Sequence, residues 1–476
     1  MRGLWHGSPF FVEPIFSIRI YFGICLFSAA NLFAQPQVLT AEAGFIPEMG
    51  GSFRAGGSHY FYVGRKKQLL IFDERLKTVQ SINLLNDTAA IDFADVYKSG
   101  RDSLLEFSQT GVHVRLFGKQ GYGEPQRIVT ERLAFPLYVD NLEQSRLSVD
   151  INNDGYFDLF LPAEGKFVVY ENKTGRGFAR AAELPYQPRG SFTGRLWANS
   201  DLPSNSMRST IIIPQPIFLD FNGDGQLDAA ARIDERIYYF LSGKNQQGQI
   251  TPFSETLLRI YPMPQEDIYV AYSEFEDFDG DGNLDLIYSA VKGLGLNIRV
   301  DIKIFRGVKG VADPNSMVEH SIKGGVFSPL LATLGKQKLL LVPTIDTGIG
   351  FFINYVVRSR VSLTMQLLSP LNTKDNPLEK TTLSFSSKES AIPGFTYGDY
   401  NNDGQTDFIL GTELDSISVF AGNADLSRKE ITKINAPSYG IFRTVKRHDG
   451  VHLLFIYMTQ KSKAEKKSAV YLAPIR

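Results

Sequence analysis

Four times this chain spells the same nine-residue pattern: Asp, x, Asp or Asn, x, Asp, Gly, x, x, Asp. The copies run from Asp150 to Asp158, Asp220 to Asp228, Asp277 to Asp285 and Asp399 to Asp407, and an apolar run follows each. No other feature constrains the fold as strongly. A motif reused at long intervals marks one structural unit used repeatedly, and such units stack or ring into one body.

The residue types point to a cation. Oxygens at alternate positions of a tight loop converge on one point, and calcium takes six to eight hard oxygen ligands. Side chains at positions one, three, five and nine and the backbone carbonyl at position seven make the candidate set. In chain order these are Asp150, Asn152, Asp154, Tyr156 and Asp158; then Asp220, Asn222, Asp224, Gln226 and Asp228. Asp277, Asp279, Asp281, Asn283 and Asp285 follow, and then Asp399, Asn401, Asp403, Gln405 and Asp407. Glycine at position six permits the sharp turn. Asn in place of Asp lowers carboxylate repulsion. An EF-hand begins similarly but needs a Glu at position twelve and flanking helices. Position twelve here is Leu161, Ala231, Tyr288 or Leu410. One copy alone would read as a solvated acidic turn, whereas four copies ahead of β-like runs read as about four calcium sites.

Each loop precedes two β-like runs joined by a turn. These are Asp158–Pro162 with Phe167–Tyr170, Asp228–Ile233 with Ile237–Phe240, Leu284–Ala290 with Ile298–Phe305, and Phe408–Gly411 with Ile417–Phe420. The Ala229-Ala230-Ala231 run is the least β-like. Similar hairpins occur without an intact loop. Asp95 to Ser103 keeps only Asp95 and Gly100 of the pattern and reads as a decayed copy, ahead of Leu104–Phe107 and Val112–Phe117. Tyr60–Val63 with Leu69–Phe72, Leu339–Val342 with Val356–Met365, and His452–Tyr457 with Ala469–Leu472 supply three more units. Eight units at four strands each suit the blades of an all-β propeller. The last unit ends after its third strand, and the run Gln37-Val38-Leu39-Thr40 is left over. That N-terminal run is expected to close the ring as the missing outer strand, which removes exposed sheet edges. Seven blades is the alternative count, because the 339–365 unit is weakly patterned.

The four loops, each followed by a hairpin, resemble the FG-GAP/VCBS-type repeats of integrin α-chain propellers and many exported bacterial proteins. The resemblance implies calcium at the positions named above and a stabilising role for it. The Phe-Gly and Gly-Ala-Pro parts of the family pattern are not evident.

The start of the chain reads as an export signal. Arg2 and Arg19 precede an apolar run, Ile20 to Phe33, and Ala34 is a cleavage point. The expected organisation is a signal peptide over 1–34 and one propeller over 35–476. The expected location is secreted, periplasmic or cell-surface, with no transmembrane domain in the mature chain. A membrane anchor is the alternative, although the run is short for a spanning helix. Cys25 is the only cysteine and lies in this segment, so no disulfide braces the rest. Lipidation of Cys25 is a further alternative, with Phe22-Gly23-Ile24 a poor lead-in. The net charge of -1 gives no basic excess that would suit nucleic acid.

Other features carry weaker signals. His448 and His452 are four residues apart, but Asp449-Gly450 reads as a turn between them, which argues against a zinc pair. The stretch from Pro185 to Pro216 is long for a blade connection and holds Tyr186, Arg189, Arg195, Trp197 and Arg208. Long loops on rigid scaffolds often carry binding. Arg195 and Trp197 are therefore the candidate contacts for a sugar ring or an acidic group, with cover of a blade edge as the structural alternative for Trp197. Lys461, Lys463, Lys466 and Lys467 fall in the last hairpin turn and read as a solvated, edge-protecting turn. The alternating strands also raise an outer-membrane barrel, against which the acidic loops argue. The expected function is a binding or interaction module for a surface glycan or protein, more a binder than an enzyme. A polysaccharide lyase on a propeller and a subunit of a larger surface assembly are the alternatives.

Overall fold

The computed structural model describes residues 37–475, apart from 138, 140, 197–202, 248–249, 263–270, 294–297, 327–328, 336, 346–348, 372–378, 387–392, 423–429 and 459–468. The export segment, Cys25, Trp197 and the four lysines of the last turn lie outside the described residues.

The strands form eight antiparallel blades. Blades 1 to 8 span residues 49–83, 90–130, 148–185, 216–260, 271–323, 325–386, 395–434 and 441–475. The first strands of blades 2 and 3 approach one another, as do those of blades 7 and 8, which puts the first strands at the axis. Blade 8 has only three strands of its own. Its fourth is Leu39–Glu42, whose residues Leu39 to Glu42 pair antiparallel with Leu472 to Ala469. The N-terminal strand therefore closes the ring, two residues further along than the Gln37–Thr40 run.

Eight buried apolar clusters join each blade to the next. The cluster across the closure combines Phe61, Val63 and Phe72 of blade 1 with Leu453, Phe455 and Leu472 of blade 8. This explains the alanine run of blade 4. Asp228–Ile233 is a strand although its residues have modest β propensity. Ala229 and Ala231 are fully buried beside Phe160, Phe218, Phe240 and Phe253, which fill the space themselves. Packing decides where intrinsic preference is weak.

Three elements depart from the expected pattern. In blade 6 the hairpin is not tight. Gln337–Ile345 and Arg360–Leu368 are joined through helix α1, Ile349–Arg358, so Val356 belongs to a helix and not to a strand. Glu143–Gln144 runs parallel to Ala90–Ile91 as a fifth strand of blade 2, and Gln144 Oε1 accepts from Tyr62 Oη at 2.7 Å. The long stretch between blades 3 and 4 is a two-stranded hairpin of Arg189–Leu196 and Pro203–Ile212, rather than an irregular loop. No helix among the described residues is long and apolar enough to cross a membrane.

Candidate metal centres

All four acidic loops join the first strand of a blade to its second, in blades 3, 4, 5 and 7. The decayed copy at Asp95 occupies the same place in blade 2. The five therefore share one rim of the ring.

The backbone of the loop is held by its own carboxylates. Asp150 Oδ1 accepts from Asp154 N at 3.1 Å, and its Oδ2 accepts from Gly155 N at 2.8 Å. Asp220 and Asp399 repeat both bonds. At position seven, the N–H groups of Tyr156, Gln226, Asn283 and Gln405 donate to the position-five carboxylate at 2.7–2.8 Å. Two positions take the left-handed backbone. Position six is glycine, as expected. Position four is Asn153, Gly223, Gly280 or Asn402, with φ between 57° and 78°. Asn and Gly are the residues that tolerate this region, so position four carries a requirement that the ligand pattern does not reveal. The decayed copy keeps both left-handed turns, at Lys98 and Gly100. Asp95 still accepts from Ser99 N at 2.8 Å and from Gly100 N at 2.6 Å. Its turn survives without the other carboxylates.

Position nine differs in kind from the others. Asp158, Asp228, Asp285 and Asp407 are at most 1% exposed. One oxygen accepts from the N–H at position two: Ile151 at 3.0 Å, Phe221 at 3.0 Å, Phe278 at 3.0 Å and Tyr400 at 2.8 Å. The other accepts from a residue near the end of the third strand, within it at Ser242 (2.7 Å) and just beyond it at Asn172 (2.7 Å), Gly307 (2.7 Å) and Gly422 (2.9 Å). Each carboxylate thus ties the loop to the far side of its hairpin. Burial pushes Asp158, Asp228 and Asp285 up to about 6, against the pull of these N–H groups and with the help of the neighbouring aspartates. Asp407 is raised for the same reason. A divalent cation would reverse this, because it favours the ionised form.

One loop brings its oxygens together. Carboxylate atoms of Asp277, Asp279 and Asp285 lie within 4.8 Å of one another. Ligands 2.3–2.6 Å from a calcium ion sit at about this spacing, so positions one, three and nine fit the ion. Among the described residues this is the one such acidic cluster. The other three loops have Asn at position three and do not gather three carboxylates in this way.

Neighbouring blades reach into the loops. Leu284 N donates to Phe221 O at 3.1 Å, so the loops of blades 4 and 5 interlock. A side chain at Gly223 would stand 2.6 Å from Gly282 O, which makes glycine necessary there. Lys98 Nζ donates to Asp154 O at 3.0 Å and lies 5.3 Å from the centre of the Tyr156 ring. Lys338 Nζ donates to Asp277 O at 3.0 Å, and Lys446 donates to Asn402. Three lysines from adjacent blades therefore border three of the loops. Lys338 and Lys446 carry no signal in the motif pattern; Lys98 could have been found as position four of the decayed copy.

The histidine pair is not a site. His448 lies in the turn closed by Gly450 N to Arg447 O at 3.0 Å, and His452 begins a strand. The His452 ring packs edge-on against Tyr400, 5.5 Å between centres, and burial lowers its pKa. Tyr186 is buried against Phe167. Arg189 pairs with Asp234, which anchors the base of the 189–212 hairpin to blade 4. Arg195 lies on the first strand of that hairpin, one residue before its end.

A closed eight-bladed propeller with acidic nonapeptide loops along one rim is the class that this geometry defines. Residues 220–288, which contain two of the loops, match the FG-GAP-like repeat. The chain is thus a β-propeller that carries an FG-GAP-like repeat. No curated protein matches it. Among solved structures, the V. cholerae biofilm matrix protein Bap1 is 10% identical, with 89% of this chain and 76% of that chain covered and a TM-score of 0.28. The AfRom2 CNH domain is 9% identical, with coverages of 82% and 94% and a TM-score of 0.30. A structure of BBS1N in complex with ARL6DN is 10% identical, with coverages of 71% and 100% and a TM-score of 0.25. The blade count rests on the strand pairing above and not on these likenesses.

Proposed function

We propose that this protein is an exported, calcium-binding β-propeller that serves as a binding module for a surface glycan or protein. The observation that carries the calcium half is the convergence of Asp277, Asp279 and Asp285 in a loop whose backbone plan recurs in three other blades. The residues that would hold the ions are those at positions one, three, five and nine with the carbonyl at position seven, as set out above. Bound calcium supplies charge neutralisation at each rim loop. The chain's own part is to fix the loop: position one cradles the turn, and position nine ties it to the end of the third strand. Both act between elements of one blade, and the Leu284–Phe221 bond carries the tie to the next.

The binding half rests on the 189–212 hairpin. It departs from the ring at the rim opposite the acidic loops, and Arg195 and Trp197 fall near its tip in sequence. An aromatic close in sequence to arginines suits a sugar or an acidic group. The apolar run Ile20 to Phe33 supports export. The test is incubation with a panel of polysaccharides in calcium, reading retention and chain cleavage together. Retention that fails in Trp197→Ala supports the module. Cleavage would overturn it in favour of a lyase, and the absence of both would redirect the search to a protein partner captured from the native cell surface.

A further inference from the structure

Helix α1 presents apolar side chains to solvent. Ile353, Val356 and Val357 recur at three- and four-residue spacing, the stripe that a helix ordinarily turns to a core. Here they are 49%, 59% and 75% exposed. Asn354 and Arg358 lie on another side, where Arg358 Nη1 donates to Asn354 Oδ1 at 3.1 Å. A ten-residue helix has little stability of its own in water. An apolar stripe held out to solvent on such a helix calls for something to cover it.

The surroundings select among occupants. Two copies pairing through α1 alone would bury far less than the roughly 1,200 Å² of a stable interface. Residues 349–360 contain no acid, and Arg358 and Arg360 stand at the helix end. Arg360 pairs with Glu413, while Arg358 makes no ion pair among the described residues. The helix joins a second strand to a third, so it stands at the rim opposite the acidic loops, whose carboxylates would repel an anionic surface. An apolar wedge beside an exposed arginine that makes no ion pair among the described residues, turned away from the acidic rim, matches a lipid surface.

We propose that α1 seats in the face of a bilayer containing anionic lipid, with Ile353, Val356 and Val357 at the acyl boundary and Arg358 at the head-group phosphates. This is independent of the calcium reading. The test is flotation with vesicles of phosphatidylcholine, with and without phosphatidylglycerol. The protein used starts at residue 35, since every blade lies within residues 37–475 and the apolar segment before them would bind lipid itself. Flotation should rise with phosphatidylglycerol. Val356→Asp/Val357→Asp should lower the bound fraction roughly tenfold, and Arg358→Glu should remove most of the preference for the anionic lipid. Val357→Asn, at the most exposed position, should give a partial loss with an unchanged melt, which separates lost binding from lost folding. Failure of the parent protein to float, or equal flotation of the double variant, overturns the proposal. So does a dimer in solution that the double variant dissociates while vesicle binding is absent.

Discussion

Asp285→Ala and Asp281→Ala alter the same loop, yet they should differ in a way that separates architecture from metal binding. Asp285 is buried, and its two oxygens accept from Phe278 N and Gly307 N. Its loss orphans both donors, at about 1–3 kcal/mol each. One term offsets this. The Asp285 carboxyl is pushed from 3.8 up to about 6, so keeping it ionised in the folded chain at pH 7 costs about 3 kcal/mol, which the alanine removes. The sign follows from the raised folded value. The proton stabilises the fold, its contribution is full at low pH, and it is lost as pH rises from 3.8 through 6. The offset shrinks to about 1.5 kcal/mol at pH 5. In chelator, Asp285→Ala should therefore cost more at pH 5, about 1–4 kcal/mol, than at pH 7. Asp281 is exposed and accepts from Asn283 N at 2.7 Å, so Asp281→Ala in chelator should cost under about 0.5 kcal/mol at either pH. In saturating calcium both should fall below the parent, because each loses a ligand and with it part of the binding linkage. Urea midpoints at fixed slope, at two pH values with calcium or chelator, give all eight numbers. Equal losses for the two variants in chelator would refute the division of roles.

Three further outcomes are expected. The gain in melting temperature on adding calcium should be larger at pH 7.5 than at pH 5, since Asp158, Asp228 and Asp285 must all ionise to hold an ion; scanning calorimetry at both pH values checks it. Gly223→Ala should destabilise by about 1–3 kcal/mol, because φ there is +70° and the new methyl meets Gly282 O; calorimetric titration should show weakened calcium binding at two sites rather than one. Glu106→Ala should cost about 3–5 kcal/mol in a denaturant melt. Glu106 is 1% exposed and accepts from Arg115 Nε, Leu85 N and Thr88 Oγ1, so its loss strands a buried guanidinium.

Where the fold was legible, each signal had a local physical cause. The acidic loops were visible because ligand oxygens need fixed spacing, and the hairpins after them because buried strands need apolar runs. Ring closure was legible from an incomplete last unit and a spare strand at the start. Helix α1 was hidden because Ile353, Tyr355, Val356 and Val357 are β-branched or aromatic and read as strand as easily as helix, and so short a run of helical spacing does not decide between them. The position-nine tie was hidden because its partners, Asn172, Ser242, Gly307 and Gly422, have no side chain in common. Backbone N–H groups do the work, and a sequence does not display them. The same holds for the Leu284–Phe221 bond. Arg195 and Trp197 were singled out by composition alone, and the hairpin explains only why a long insertion could stay rigid at its base.

The decayed copy decides what the loops contribute before any ion arrives. Asp95 holds the backbone of its turn with the same two N–H bonds that Asp150 makes, although Tyr97, Ser99 and Ser103 replace the other ligands. The turn is therefore specified by position one and by two left-handed residues, not by a cation. The remaining carboxylates are then a burden on the empty fold: they repel one another, and burial opposes the ionisation of position nine. Blade 2 lacks them and still forms the turn. Four blades keep them, along the rim where the loops of blades 4 and 5 already touch. On the calcium-binding reading proposed above, the physical return on that repulsion is a rim that should tighten when the divalent cation binds and loosen in chelator.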